Sequence, residues 1–251
     1  LFVLVMLFFN PENLNPEAKS ILASTIWIAI WWITECVPIS VTALLPIILF
    51  PISGGLDIKS TTASYGHNLV FLFVGGFIIA LAIEKWNLHK RVALNIIKFT
   101  GTKKSRIILG FMIATAILSM FISNTATTIM ILPVGMAIIS KVSENKKTDE
   151  NMNFGKSLMI AIAYSASIGG MATLIGTPPN MIFAGVVKES YGIEISMLEW
   201  SIFGLPVSLF LLTICWIYLT KIAFSFEDKN QISGKQEINN QLKKLGKFSN
   251  E

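Results

Sequence analysis

Apolar residues run along this chain in long unbroken blocks, without the helical or alternating spacing of a half-buried element. About 20 such residues carry a helix across a hydrocarbon core roughly 30 Å thick. On that measure residues 1–9 read as the end of one span, and 20–34 and 37–52 as two more, divided at Glu35-Cys36. A fourth lies at 69–84, a long run at 157–187 is interrupted by GTPPN, and 201–220 is the last. The block 107–140 carries no charge, yet its middle reads FISNTATTIM, with Ser123, Asn124 and Thr125 in succession.

Charge gives the sidedness, because lysine and arginine mark cytoplasmic segments. The stretch 85–106 holds Lys85, Lys90, Arg91, Lys98, Lys103, Lys104 and Arg106 and no acid, so it reads as cytoplasmic. Its KWNLHKRVALNIIKF portion predicts an amphipathic helix along the membrane surface. Residues 188–199, with Glu189, Glu194 and Glu199 against Lys188, read as external. The lysine-bearing 141–156 and the tail after Lys221 read as cytoplasmic.

Both ends of 107–140 therefore lie on one side, which a single span cannot satisfy. A re-entrant hairpin can, with limbs 107–122 and 126–140 of about 22–24 Å at ~1.5 Å per residue and its tip at Ser123-Asn124-Thr125. Two tilted spans with a tight external turn fit the charges equally. Limb length and the polar tip favour re-entry.

The composition agrees with a membrane protein. Hydrophobic residues make up 53% and charged residues 14%, against roughly 25% charged in a soluble domain. The net charge of +5 comes from cations beside apolar blocks, a pattern of membrane topology, so it is a poor sign of nucleic acid and no nucleic-acid partner is expected. Cys36 and Cys215 lie far apart and outside any C-x-x-C spacing, so each reads as a small buried hydrophobe. The chain opens at Leu1 inside an apolar block, with no signal-peptide pattern, and stops in a polar stretch; it reads as incomplete.

Two polar interruptions carry the candidate chemistry. Non-helical backbone at membrane depth survives only where protein buries it or it lines a cavity. In Gly176-Thr177-Pro178-Pro179-Asn180 the prolines remove two N–H donors, which predicts two half-helices, the second capped by Asn180. Helix starts after Thr125 and after the prolines suit an anion. Carbonyls near 119–122, with the oxygens of Ser119, Ser123 and Asn124, suit Na⁺. Neither segment contains lysine or arginine, so an anion there is held by dipoles and hydroxyls. Isolated hydroxyls, and glycine pairs such as Gly75-Gly76 and Gly169-Gly170, read instead as helix contacts. Glu35 and Glu84 read as interfacial, and His67 and His89 fall in predicted loops. An intramembrane hydrolase would need a G-x-S-x-G serine and an embedded base, which the sequence lacks. No enzyme is expected.

Four segments carry a resemblance: WWITECVPISVTALLPIILFPISG, LVFLFVGGFIIALAIEKWNLHKRVAL, the SNT triplet with its flanks, and IGTPPN. In this order they resemble the divalent anion/Na⁺ symporters, a family that includes sodium-dependent dicarboxylate transporters and carriers of citrate or sulfate. The resemblance implies an all-α polytopic inverted-repeat fold, each half giving a re-entrant hairpin and a broken helix. By position it assigns Ser119, Ser123, Asn124 and the Gly176 backbone to a Na⁺ site. It turns Ser123, Asn124 and Thr125 toward a substrate carboxylate, with Thr177 and Pro178 beside them.

The family pattern needs a second SNT and a second proline break, which this sequence lacks, so it reads as the N-terminal half. Its parts are then scaffold-side helices at 1–84, a basic cytoplasmic segment at 85–106 and the hairpin at 107–140. The broken and last helices follow at 157–220, and a cytoplasmic linker at 221–251 leads to a missing second half. The expected activity is Na⁺-coupled symport of succinate-, malate- or fumarate-type anions across the inner membrane, by a multi-pass homodimer. A sodium-independent exchanger, a sulfate transporter and an inactive fragment are the alternatives.

Overall fold

Every regular element among the described residues is helical. The structure is a computed structural model, and it describes residues 2–9, 14–101, 103–144, 149–224 and 226. Two units are distinguished, residues 1–71 and 72–251.

The first unit is built on α2, Pro16–Thr34, which packs against α1 (Phe2–Phe8), α3 (Ile39–Thr42) and α4 (Leu45–Ile52). Asn15 starts α2 by accepting the Ala18 N–H at 2.7 Å, with Pro16 at the first position where its missing N–H costs nothing. Glu35 ends it in the left-handed region at φ 48°, so the expected break falls there. The stretch 37–52, expected as one span, is instead two short helices; Pro38 precedes the first and Pro46 opens the second, and neither can donate within a helix. Cys36 is exposed, contrary to the buried role expected of it. Asp57 caps α5 (Ile58–Tyr65) by accepting the Ser60 N–H at 2.9 Å. The Tyr65 hydroxyl donates to the Ala43 carbonyl at 2.6 Å, joining α5 to the α3–α4 turn.

α6 (Asn68–Lys85) continues into the second unit. There α7 (Leu88–Thr100) is amphipathic as its sequence predicts, but the apolar face formed by Ala93, Leu94 and Ile97 is buried against α8. His89, expected in a loop, lies in the first turn of α7. α8 (Lys104–Ser119) is the most enclosed element, and α10 (Asp149–Gly170) packs against both α8 and α9 (Asn124–Glu144). α11 (Pro178–Tyr191) and α12 (Met197–Ile217) follow, and a π-helical turn, Tyr218–Ala223, ends the described helices.

Lipid offers helices little hydrophobic reason to associate, so close backbone approach and hydrogen bonds hold such a bundle. A Cβ on Gly169 would lie 2.3 Å from the Ala116 carbonyl oxygen, so α10 meets α8 there through backbone. Side chains reach across to carbonyls elsewhere: Ser208 to Ile168 at 2.8 Å and Trp216 to Ser105 at 2.9 Å. Beside Ser105, Lys104 Nζ donates to Asn151 Oδ1 at 3.1 Å, and Asn151 Nδ2 to the Val142 carbonyl at 3.2 Å. The start of α8, the end of α9 and the start of α10 therefore share one end of the unit.

Among the described residues three stretches are long and apolar enough to cross a membrane: Ile58–Ile83, Asn124–Val142 and Met197–Ala223. The limbs of 107–140 are unequal. α8 has 16 residues, about 24 Å, while α9 has 21, about 31 Å. The limb-length argument for re-entry therefore applies to α8 and fails for α9. The expected linker at 221–251 lies outside the described residues apart from 221–224 and 226.

Candidate functional site

α8 ends at Ser119, and the chain reverses through Met120–Ser123 before α9 begins at Asn124. The reversal precedes the position expected for it: Ser123 closes the turn, and Asn124 and Thr125 are already helical. The reason is a cap. Ser123 Oγ accepts the Ala126 N–H at 3.3 Å, its carbonyl accepts the Thr127 N–H at 2.9 Å, and the helix starts one residue later. The Thr173 hydroxyl donates to the Met120 carbonyl and holds the turn against the next connection.

Ser119 is fully buried, and its hydroxyl lies 2.6 Å from Asn124 Oδ1 and 2.7 Å from the Ala166 carbonyl oxygen. One hydroxyl proton serves one of these contacts at a time. Three oxygens from the end of α8, the start of α9 and the last turns of α10 thus crowd together around a single proton. Neutral oxygens in such an arrangement suit a small hard cation. Gly170 permits it, because a Cβ there would lie 2.4 Å from Asn124 Oδ1.

The second break is also earlier than expected. α10 stops at Gly170 rather than at Gly176, and residues 171–177 cross to α11 without regular helix. Pro178 and Pro179 open α11, and Thr177 precedes them in extended conformation with no side-chain cap. Asn180 does not cap the helix. It lies inside the first turn, and its buried amide donates to the Gly170 carbonyl at 2.9 Å and the Thr173 carbonyl at 2.8 Å. It pairs acceptors freed by the end of α10, tying the two half-helices together across the break. A Cβ on Gly176 would lie 2.5 Å from the Gly170 carbonyl oxygen, so this loop closes only around glycine.

The starts of α9 and α11 meet at one cavity of about 240 Å³. Ser123, Asn124 and Thr125 line it from one side and Gly176, Thr177 and Pro178 from the other. Every residue expected at the site is there except Ser119, which reaches it through Asn124. Among the described residues no charged side chain lines the cavity. Each helix start contributes roughly half a positive charge, about one charge together. Among the described residues no cluster of histidine, cysteine or acidic side chains could hold a metal, so a cation here must rely on neutral oxygens.

The sequence reading missed the apolar wall. Phe73 and Phe77, stacked with ring centroids 5.7 Å apart, line the cavity together with Gly76, Phe121 and Ile175. Their i, i+4 spacing put both rings on one face of α6, but nothing in an all-apolar helix marks which face meets a cavity. Thr173, which holds the turn, gave no signal, and Gly170, which admits Asn124, read only as part of a helix-contact glycine pair.

With this geometry established, similarity to known proteins becomes informative. A family described as citrate transporter matches residues 29–247. Sodium-dependent dicarboxylate transporter SdcS of Staphylococcus saprophyticus is 48% identical over 255 residues, covering all of this chain and 49% of that protein. The proteins of the same name from Staphylococcus aureus strains bovine RF122 / ET3-1 and USA300 are 46% identical with the same coverage. The chain spans about half the length of the curated relatives it matches. The family match runs through both polar interruptions and every element around the cavity, and the chain belongs to the citrate transporter family.

Proposed function

We propose that this chain supplies one sodium site and half of the anion site of a Na⁺-coupled dicarboxylate symporter. The observation that carries the reading is the convergence of the α9 and α11 starts on one uncharged cavity beside the Ser119–Asn124–Ala166 oxygens. About one positive charge from two helix starts offsets half of a divalent anion. Sodium held by Ser119, Ser123, Asn124 and the Gly176 carbonyl offsets more, and it also holds Asn124 in place to receive a carboxylate. Thr125 and Thr177 then donate hydroxyl protons to that carboxylate, and Pro178 bounds it. Without a lysine or arginine clamp the anion is released when sodium leaves, as a transport cycle requires.

Coupling to sodium has an energetic reason. Moving one net charge against the membrane potential costs about 2.3 kcal/mol per 100 mV. Two sodium ions cancel a dicarboxylate, and a third turns the potential into a driving force.

In this reading residues 107–140 enter and leave the membrane from the cytoplasmic face as a re-entrant hairpin. Its support is the length of α8, the shared end of α8, α9 and α10, and the cations flanking that end. Residues 1–84 belong to a scaffold, 85–106 lie at the cytoplasmic surface, and 221–251 lead to a second, inverted half with its own tip. The whole transporter works as a homodimer in the inner membrane, performs no covalent chemistry, and needs both halves to transport.

The test is uptake of radiolabelled succinate by proteoliposomes of the whole transporter, with Na⁺ or choline outside. Uptake that needs Na⁺ and is competed by malate and fumarate supports symport. Equal uptake in choline makes the protein an exchanger, and competition by sulfate alone moves the substrate class.

A further inference from the structure

Among the described residues of the second unit, three fully buried hydroxyls have no hydrogen-bond partner: Thr115 Oγ1, Thr127 Oγ1 and Ser165 Oγ. A threonine or serine in a helix commonly donates to the carbonyl four residues back. Thr128 does so to Asn124 at 2.8 Å and Thr220 to Trp216 at 2.7 Å. These three do not, and a buried hydroxyl without a partner is unfavourable unless something occupies it.

Helical spacing puts the three on facing stripes. On α8, Thr115 lies one turn from Ser119 and one turn from Phe111, on the same face as both. On α9, Thr127 lies one turn from Asn124, on the face that continues through buried Ile131 to Gly135. On α10, Ser165 lies between Ile162 and Gly169. Contacts fix the register. The Ser119 hydroxyl meets Asn124 and the Ala166 carbonyl at one level. A Cβ on Gly135 would lie 3.0 Å from Ile162 Cδ1, 2.9 Å from Met159 Cε and 3.7 Å from Phe111 Cε1 at the other. The three hydroxyls fall between these levels, directly beneath the Ser119–Asn124 oxygens and above an apolar seal.

We propose that this hydroxyl layer is a second Na⁺ position, one helical turn below the tip. It rests on the proposed sodium coupling, and it adds residues that the coupling site does not use. Three neutral oxygens converge with no cationic side chain among them, and helix carbonyls at the same level have second lone pairs to complete a shell. The apolar layer beneath blocks escape toward the Lys104 end, so the ion exchanges through the tip and its occupancy is tied to the tip's. A divalent anion above offsets the repulsion between two ions one turn apart.

The test is thermal melting of the whole purified transporter in nanodiscs, titrated with Na⁺ against choline at constant ionic strength, together with radioactive sodium bound at the wild-type midpoint. Thr115→Val, Thr127→Val and Ser165→Ala remove a hydroxyl at nearly constant shape, and Asn124→Ala reports on the tip. In choline the hydroxyl variants melt at or above the wild type, because an unpartnered buried hydroxyl has been removed. In Na⁺ the midpoint of their Na⁺ response rises about three- to tenfold, the worth of one oxygen contact, and less sodium is bound at the wild-type midpoint. Ser165→Ala, the mildest change, decides the matter if a valine variant does not fold. Wild-type midpoints and an unchanged ion count in the hydroxyl variants overturn the proposal and leave a bound water as the occupant. If Asn124→Ala abolishes the Na⁺ response while they keep it, only this second position fails. A wild type with no Na⁺ response overturns the symport reading as well.

Discussion

The Ser119 hydroxyl and the Asn124 amide oxygen lie 2.6 Å apart, five residues from each other in sequence and on opposite sides of a chain reversal. That contact closes the turn between α8 and α9 and aims the first turn of α9 at the cavity. Ser119→Ala removes one candidate sodium ligand and frees Asn124 to turn. The Na⁺ midpoint for uptake should rise about tenfold, while the succinate midpoint at saturating Na⁺ changes much less. A Na⁺ titration of uptake separates the two.

Asn124 and Thr125 differ in what they offer. Thr125→Ala deletes one donor to the carboxylate, so the succinate midpoint should rise roughly three- to tenfold with the maximal rate nearly kept. Asn124→Asp puts a negative charge beside both anion and sodium and should abolish uptake. Wild-type kinetics in Asn124→Asp would remove this triplet from the site.

Gly170 tests the same geometry from α10. A methyl there would lie 2.4 Å from Asn124 Oδ1, and overpacking of this kind costs about 1–3 kcal/mol. Gly170→Ala should lose Na⁺-dependent uptake, with a modest fall in melting temperature that added Na⁺ does not restore. Melting with and without Na⁺ reads it.

Asn180 is a stability residue. Asn180→Ala leaves the Gly170 carbonyl unpaired and the Thr173 carbonyl with only the Gly176 N–H at 3.3 Å, at a cost of about 1–3 kcal/mol. Asn180→Asp should be worse, since a carboxylate presents acceptors to acceptors. Denaturation in mild detergent should rank wild type above alanine above aspartate.

The helical membrane character, the two interruptions and the polar edge of the cavity were legible in the sequence, because a polar triplet or a proline pair in an uncharged run has few other uses. The details of the interruptions were not. A proline pair marks where a helix restarts, so Pro178 was found, but the end of α10 at Gly170 depends on Asn180 reaching back for two carbonyls. Asn124 read as part of a turn because nothing local shows Ser123 capping the helix before it. Residues 37–52 read as one span by hydropathy, which does not register that prolines interrupt the helix. The aromatic wall stayed hidden because every position on α6 around it is apolar too.

The most direct measurement of the central claim, that two helix starts share one anion, is protection from thiol labelling. With Cys36 and Cys215 replaced, Phe121→Cys and Ile175→Cys put a reactive group on the cavity wall, one near each helix start. Labelling by a membrane-permeant maleimide should slow at both positions when succinate and Na⁺ are present together, and at neither with succinate in choline. Protection at one position only, or equal protection in choline, contradicts a shared sodium-dependent anion site.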